Sequence, residues 1–305
     1  MSTNALETML TPFNDIAIQL SAQNEILTLI LQTLESQAGD ITKIREEASA
    51  SRRISESLKT IAGYRLMAEV RQTFQQRQLG FMETLDIICR EELSFSRFGD
   101  GEMRNMFRPE FSIYFQKNSA SLAAELRAAM SAEHAPNLLV GLPNVFADLH
   151  WTTVFHEVWD QMKPLIEGLP RFGNGHVSRP VMFQAHGAEA VDAWRRIWEG
   201  KNALIVTGKG SRFDLDPALY SNLGEHRYEY STPRDAYADL DRVEELAVAS
   251  PEKLVLISLG PAGSILAHRL AKAGKQALDI GHLASSYTHV IKGGAFPERT
   301  PVVRA

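Results

Sequence analysis

The sequence has a single cysteine, Cys89, among 305 residues. No intrachain disulfide is possible, and no cysteine-based zinc site can be assembled. Cys89 ends the apolar stretch Leu85-Asp86-Ile87-Ile88-Cys89 and reads as a small buried hydrophobe rather than a nucleophile. Basic residues are not in excess either: 32 Lys and Arg against 37 Asp and Glu leave a net charge of −5. A protein that tracks nucleic-acid phosphates wants a basic surface, so no nucleic-acid partner is expected. A phosphate-bearing small molecule needs only a few local cations or oriented backbone N–H groups. No signal-peptide pattern opens the sequence, and no uninterrupted apolar run approaches membrane-spanning length. The expected location is therefore cytoplasmic, with no transmembrane segment.

What is present is ordinary globular composition, 44% hydrophobic and 23% charged. A chain this long can bury a core without metals or disulfides, and its length suggests about two domains. The first eighty residues are poor in glycine and aromatics. Ile16, Leu20, Leu27, Ile30, Leu34, Ile41, Ile44, Ala48 and Leu58 fall near a three-four spacing, which puts them on one helical stripe close to a heptad seam. Gly39 and the polar stretch at 49–53 interrupt it. Pro12 is expected to mark the helix start. The narrow stripe with polar flanks favours a self-association arm, hence a homo-oligomer through the N-terminal helix. The alternative is a helix that packs on its own neighbouring domain. The expected division is a helical arm with a near-heptad, coiled-coil-like stripe at 1–80 and a catalytic domain at 81–305.

From residue 81 on, short apolar runs end in glycine-rich turns. Strands are expected at 93–97, 138–142, 203–206, 254–259 and 277–280, with helices at 121–130, 188–198, 236–248 and 264–273. Alternating strands and helices argue for a mostly parallel sheet flanked by helices, an α/β fold. Ligands in such sheets sit beyond the C-terminal strand ends, where each of these turns falls. The tail after Lys292 reads as irregular.

Five segments could carry chemistry. In Ser96-Arg97-Phe98-Gly99-Asp100-Gly101-Glu102, two carboxylates flank a glycine directly after a strand. Oxygen ligands at this spacing suit Mg²⁺ or Mn²⁺, and Arg97 could meet a phosphate. The same residues could equally be a tight turn in which Asp100 caps a helix beginning near Met103. Gly260-Pro261-Ala262-Gly263-Ser264 joins a strand to a helix, with an N-terminal dipole open to an anion. It lacks the full Gly-x-Gly-x-x-Gly pattern of a nicotinamide site. Thr207-Gly208-Lys209-Gly210-Ser211-Arg212 has the wrong order for a P-loop, but Lys209 and Arg212 are candidate phosphate clamps. In Asp279-Ile280-Gly281-His282, the histidine could ligate a metal, meet a diphosphate or move a proton, or simply be hydrogen-bonded. Gly173-Asn174-Gly175-His176-Val177-Ser178-Arg179-Pro180 contributes Arg179, extended or in a turn because a proline follows. His150 and His156 are six apart rather than four and show no ligand spacing.

Taken in order, these segments resemble the GT-D glycosyltransferases, long known only as a conserved domain of unknown function in bacterial glycosylation loci. The pattern is Arg-Phe-Gly-Asp-Gly-Glu, Gly-Asn-x-x-x-Ser-Arg-Pro, a strand with Gly-x-x-Ser-Arg, Leu-Gly-Pro-x-x-x-x-Leu-Ala, then Asp-Ile-Gly-His, over residues 85–287. The resemblance implies a Rossmann-like fold, a UDP-sugar donor and Mn²⁺ or Mg²⁺. It places the Asp-x-Glu element on Asp100 and Glu102, with His282 as the terminal motif and a possible third metal ligand or catalytic group. It places donor binding on Arg97, Arg179, Lys209 and Arg212; the residues themselves add Gly99, Gly260, Pro261 and Asp279 as donor-binding candidates, with Asp279 and His282 the nearest candidates for a base. Two departures, Thr207 in place of an acidic residue and Leu283-Ala284-Ser285-Ser286-Tyr287 in place of an acidic and aromatic stretch, bear on the acceptor. The implied reaction moves a hexose from a nucleotide-sugar to a glycan, glycoprotein or lipid-linked acceptor in bacterial surface glycosylation. The competing expectations are a non-catalytic nucleotide-sugar-binding scaffold that oligomerises through its arm, and a Rossmann-type oxidoreductase.

Overall fold

Every apolar run that precedes one of these turns forms a strand. The computed structural model describes residues 3–131 and 133–299, with side chains from residue 20 onward. The chain divides into two units, Met1–Ala62 and Gly63–Ala305.

The first unit is helical throughout its described residues, as part of α1 (Thr3–Gln75). The helix begins at Thr3, ahead of Pro12; a proline removes one N–H donor from the ladder, a loss that the remaining bonds of so long a helix absorb. The expected stripe lies open: Leu20, Leu27, Ile30, Leu34, Ile41, Ile44 and Leu58 are all exposed, between 49% and 66%. The side chain of Ile16 lies outside the described residues. Gly39 does not interrupt the helix, and a β-carbon there would meet nothing within 4 Å.

In the second unit the last turns of α1 bury Met67, Val70 and Phe74. There follow α2 (Phe81–Arg90), β1 (Ser94–Arg97), α3 (Asp100–Phe107), α4 (Ala120–Met130), β2 (Leu138–Leu142), α5 (Leu149–Gly168) and β3 (Gly173–Asn174). Then come α6 (Pro180–Trp198), β4 (Ala203–Gly208), α7 (Pro217–Tyr220), β5 (His226–Ser231), α8 (Leu240–Ala249), β6 (Leu254–Ser258), α9 (Pro261–Lys272), β7 (Gln276–Asp279) and α10 (Leu283–Lys292). The strands form one sheet in the order β3-β2-β1-β7-β6-β4-β5, with every neighbouring pair parallel. Successive side chains of a strand point to opposite faces, and both faces are covered. Val140, Val206, Val255 and Ile257 pack with α3, α4, α5, α8, α9 and the end of α1. Leu139, Ile205, Leu256 and Leu278 pack with α2, α6, α7 and α10. The result is a helix–sheet–helix sandwich, the α/β fold that the strand–helix alternation predicts. Burial of each such aliphatic side chain contributes about 1.5–3 kcal/mol.

Some elements differ from expectation for identifiable reasons. Helix α6 starts at Pro180, which suits a first helical position, and kinks at Gly187, where φ is +48°. The expected helix at 236–248 is a 3₁₀ turn, Ala236–Asp239, followed by α8. Strand β5 gave no apolar signal because it is an edge strand with four of its six residues exposed. The tail is not wholly irregular, since Pro297–Arg299 forms a 3₁₀ turn.

Candidate functional site

Successive strands step outward from β1 to β3 on one side, whereas β7 begins the opposite half. Helix α3, after β1, lies on one face of the sheet and α10, after β7, on the other, so the β1/β7 boundary is a topological switch point, the kind of place at which open α/β sheets bind ligands. Beyond it lies a cavity of about 930 Å³.

Arg97 ends β1 and is mostly buried. One guanidinium nitrogen lies 3.9 Å from the Asp279 carboxylate at the end of β7, and another donates to the Gly175 carbonyl at 3.4 Å. The Ser264 hydroxyl, at the start of α9, bridges the Arg97 carbonyl (2.6 Å) and Asp279 (3.1 Å). Burial raises the Asp279 pKa, and the Arg97 charge opposes that rise. Two atoms of this pair, Arg97 Nε and Asp279 Oδ1, are buried without a hydrogen-bond partner among the described residues.

The Gly99 backbone, extended at φ −106°, caps α3. Glu102 is the third residue of that helix and its carboxylate accepts the Gly99 N–H at 2.8 Å, one half of a capping box. The cap is thus made by Glu102 rather than Asp100, and the helix starts at Asp100, ahead of Met103. Burial pushes the Glu102 pKa up to about 7, against the pull of Arg97 and of that hydrogen bond. Asp100 faces the cavity with 44% of its side chain exposed, 3.4 Å from His150 Nε2 and 3.7 Å from Arg104.

The opposite wall is cationic. Burial drives the His176 pKa down to about 3, aided by the charges of Arg179 and Arg97. Its Nδ1 accepts the Asn144 N–H at 3.3 Å, and its ring stacks on Phe146. His282 is held well below the usual imidazole range by burial, then by Arg179, Arg212 and Arg97. An Arg212 nitrogen lies 3.1 Å from His282 Nδ1 and 3.5 Å from its Nε2. Arg212 also donates to the Pro297 carbonyl at 2.5 Å, and Arg179 pairs with Glu298. Three arginines thus surround two neutral histidines.

Of the residues singled out in the sequence, Arg97, Gly99, Asp100, Glu102, Arg179, Arg212, Gly260 and His282 line the cavity. Gly260 has φ +58°, and a β-carbon there would fall 2.6 Å from the Phe115 ring. Asp279 lies beneath Arg97. Pro261 is buried as the first residue of α9 and Lys209 is exposed on the turn after β4; neither lines the cavity. His282 sits with the arginines, and among the described residues no three His, Cys, Asp or Glu side chains form a metal-holding group. Sequence reasoning missed His150, His176, Phe146, Trp151 and Glu298. His176 stands inside a motif that had been singled out, but no spacing signals His150, which the fold carries to Asp100 on α5.

Known proteins share this arrangement of chain. The family model described as Glycosyltransferase GT-D fold matches residues 95–295. Glycosyltransferase GlyD of Streptococcus pneumoniae serotype 4 is 30% identical over 220 residues, 68% of this chain and 27% of that protein. Probable glycosyl transferase Gly of Streptococcus gordonii is 28% identical over 230 residues, 70% of this chain and 33% of that protein. The chain therefore spans between a quarter and a third of the length of these curated relatives. The solved structure of a highly conserved domain of unknown function with a distinct glycosyltransferase fold superposes with a TM-score of 0.65 at 25% identity, covering 75% of this chain and 86% of that one. A glycosyltransferase from Streptococcus sanguinis gives a TM-score of 0.62 at 27% identity, over 72% and 85% of the two chains.

Proposed function

The chain belongs to the GT-D glycosyltransferase family, and on that premise we propose that it moves a hexose from a UDP-sugar to a glycan, glycoprotein or lipid-linked acceptor in bacterial surface glycosylation. The observation that carries the donor assignment is the cluster of Arg97, Arg179 and Arg212 around two histidines held neutral at the switch point. Such a cluster suits a multiply charged anion. When the bond between the anomeric carbon and UDP breaks, negative charge builds on the diphosphate. Preorganised guanidinium donors stabilise charge where it develops, and their planar forks match phosphate oxygens. His282, held neutral among these arginines, keeps one ring N–H that can donate a further hydrogen bond to the phosphates.

The opposite wall carries the two carboxylates proposed to hold a divalent cation. Asp100 presents a carboxylate to the cavity, and burial without full compensation raises the Glu102 pKa to about 7. These two residues would hold Mn²⁺ or Mg²⁺, hard ions that take the rest of their shell from water and phosphate oxygens. The ion supplies Lewis-acid stabilisation of the leaving diphosphate when bound. Asp279, Ser264 and Gly175 fix Arg97 in place, and Phe146 and Trp151 form an apolar side of the cavity that limits water.

Self-association through the exposed stripe of α1, and action in the cytoplasm where nucleotide-sugars are used, belong to the same proposal. No helix among the described residues is long and apolar enough to cross a membrane. The test is a screen of UDP-, GDP- and dTDP-sugars, reading released nucleotide with and without Mn²⁺. UDP release that depends on the ion is expected; silence with every donor overturns the reading.

A further inference from the structure

The exposed side chains of the first unit repeat in a fixed register. Leu20, Leu27, Leu34, Ile41 and Ala48 recur every seven residues, with Ile30, Ile44 and Leu58 at the companion position three residues on. All are exposed on the helix, and an apolar seam of this period is buried when helices coil around one another. Gly39 falls on the outward side of the same register.

The flanks of the seam identify what covers it. The charged residues just before it are acidic, Asp40 and Glu47; those just after it are basic, Arg45, Arg52 and Lys59. Two identical helices laid parallel and in register set Asp40 of one copy against Arg45 of the other, and Glu47 against Arg52. Turned antiparallel, acids face acids and bases face bases. Flanking charges of this kind set partner and orientation. A helix lying on a membrane surface would instead carry a predominantly basic polar face, whereas this one carries both signs.

We infer that residues 20–59 form a parallel, in-register coiled coil with a second copy of this chain. The inference rests on the self-association proposed above and adds its geometry: both chains leave the coil at the same end.

Full-length protein tests it by light scattering and by cross-linking. The wild-type chain is expected above its monomer mass of 34.0 kDa. Arg45→Glu with Arg52→Glu sets acid against acid at both charge pairs, and the mass should fall to that of the monomer. Adding Asp40→Lys and Glu47→Lys reverses every pair, and the oligomer should return. Ser51 lies on the seam, so Ser51→Cys in a Cys89→Ser background should form an intermolecular disulfide on mild oxidation. A monomeric wild-type chain overturns both self-association and the coiled coil. An oligomer that ignores the charge changes, or that fails to cross-link at position 51, overturns the parallel pairing and leaves self-association standing.

Discussion

Gly281 makes room for Arg97: a β-carbon built on Gly281 would lie 1.9 Å from an Arg97 guanidinium nitrogen. Gly281 also has φ +45°, in the left-handed region that costs other residues about 1–2 kcal/mol. Gly281→Ala should therefore displace Arg97 and lower the melting temperature. Transfer is expected to drop at least tenfold, roughly 1.4 kcal/mol, with UDP affinity falling alongside. Steady-state kinetics and calorimetry on the folded variant check it; normal turnover would show that Arg97 need not sit against Asp279.

The two carboxylates separate by their local roles. Glu102→Gln keeps an acceptor for the Gly99 N–H, because glutamine completes the same cap, but removes the charge. Asp100→Asn removes the charge of the cavity-facing acid. Both variants should fold normally and lose ion-dependent transfer by about a hundredfold or more, near 3 kcal/mol. Full Mn²⁺-stimulated turnover in both would end the metal assignment.

Glu298 occupies the guanidinium of Arg179, a proposed phosphate partner. Donor binding through Arg179, as proposed, has to displace that carboxylate. Glu298→Gln should tighten UDP binding about fivefold, roughly 1 kcal/mol, the scale of one partly exposed ion pair. Unchanged or weaker binding would show that the tail supports the site instead.

His268, buried on α9, is held down to about 4 from an ordinary 6.5, mainly by burial and then by Lys272. The unfolded chain takes up this proton near pH 6.5, whereas the folded chain resists it until about pH 4. The folded state is thus fully stable with respect to this group above pH 6.5 and loses stability as the pH falls through that window, by up to about 3 kcal/mol. Denaturant unfolding between pH 7 and 4 should show the decline, and His268→Leu should make it shallower, with His176 and His282 keeping the remainder. An equal slope in the variant would assign the decline to other groups.

The parts of the architecture written in contiguous residues were legible beforehand. The runs at 138–142 and 254–259 have the apolar character of strands covered on both faces, and the structure places them at the sheet interior. Strand β5 was not legible, because His226-Arg227-Tyr228-Glu229-Tyr230-Ser231 lies at an edge and needs no apolar run. The site divides the same way. Arg97, Asp100 and Glu102 stand within six residues of one another, so local spacing exposes them. His150 reaches Asp100 only through the packing of α5 on α3, and Glu298 reaches Arg179 across more than a hundred residues; neither relationship has a local signature. Helix capping and cation binding use the same acidic residues, which is why spacing alone left both readings of the turn open.

On the proposed function, the arginine cluster and the paired carboxylates together hold a nucleotide diphosphate. Calorimetric titration of UDP into the full chain, with and without Mn²⁺, tests it most directly. The predicted result is saturable binding at one site per chain that strengthens with the ion and weakens at least tenfold in Arg97→Met and Arg179→Met. Absence of binding, or equal affinity in the wild-type chain and both variants, would contradict it.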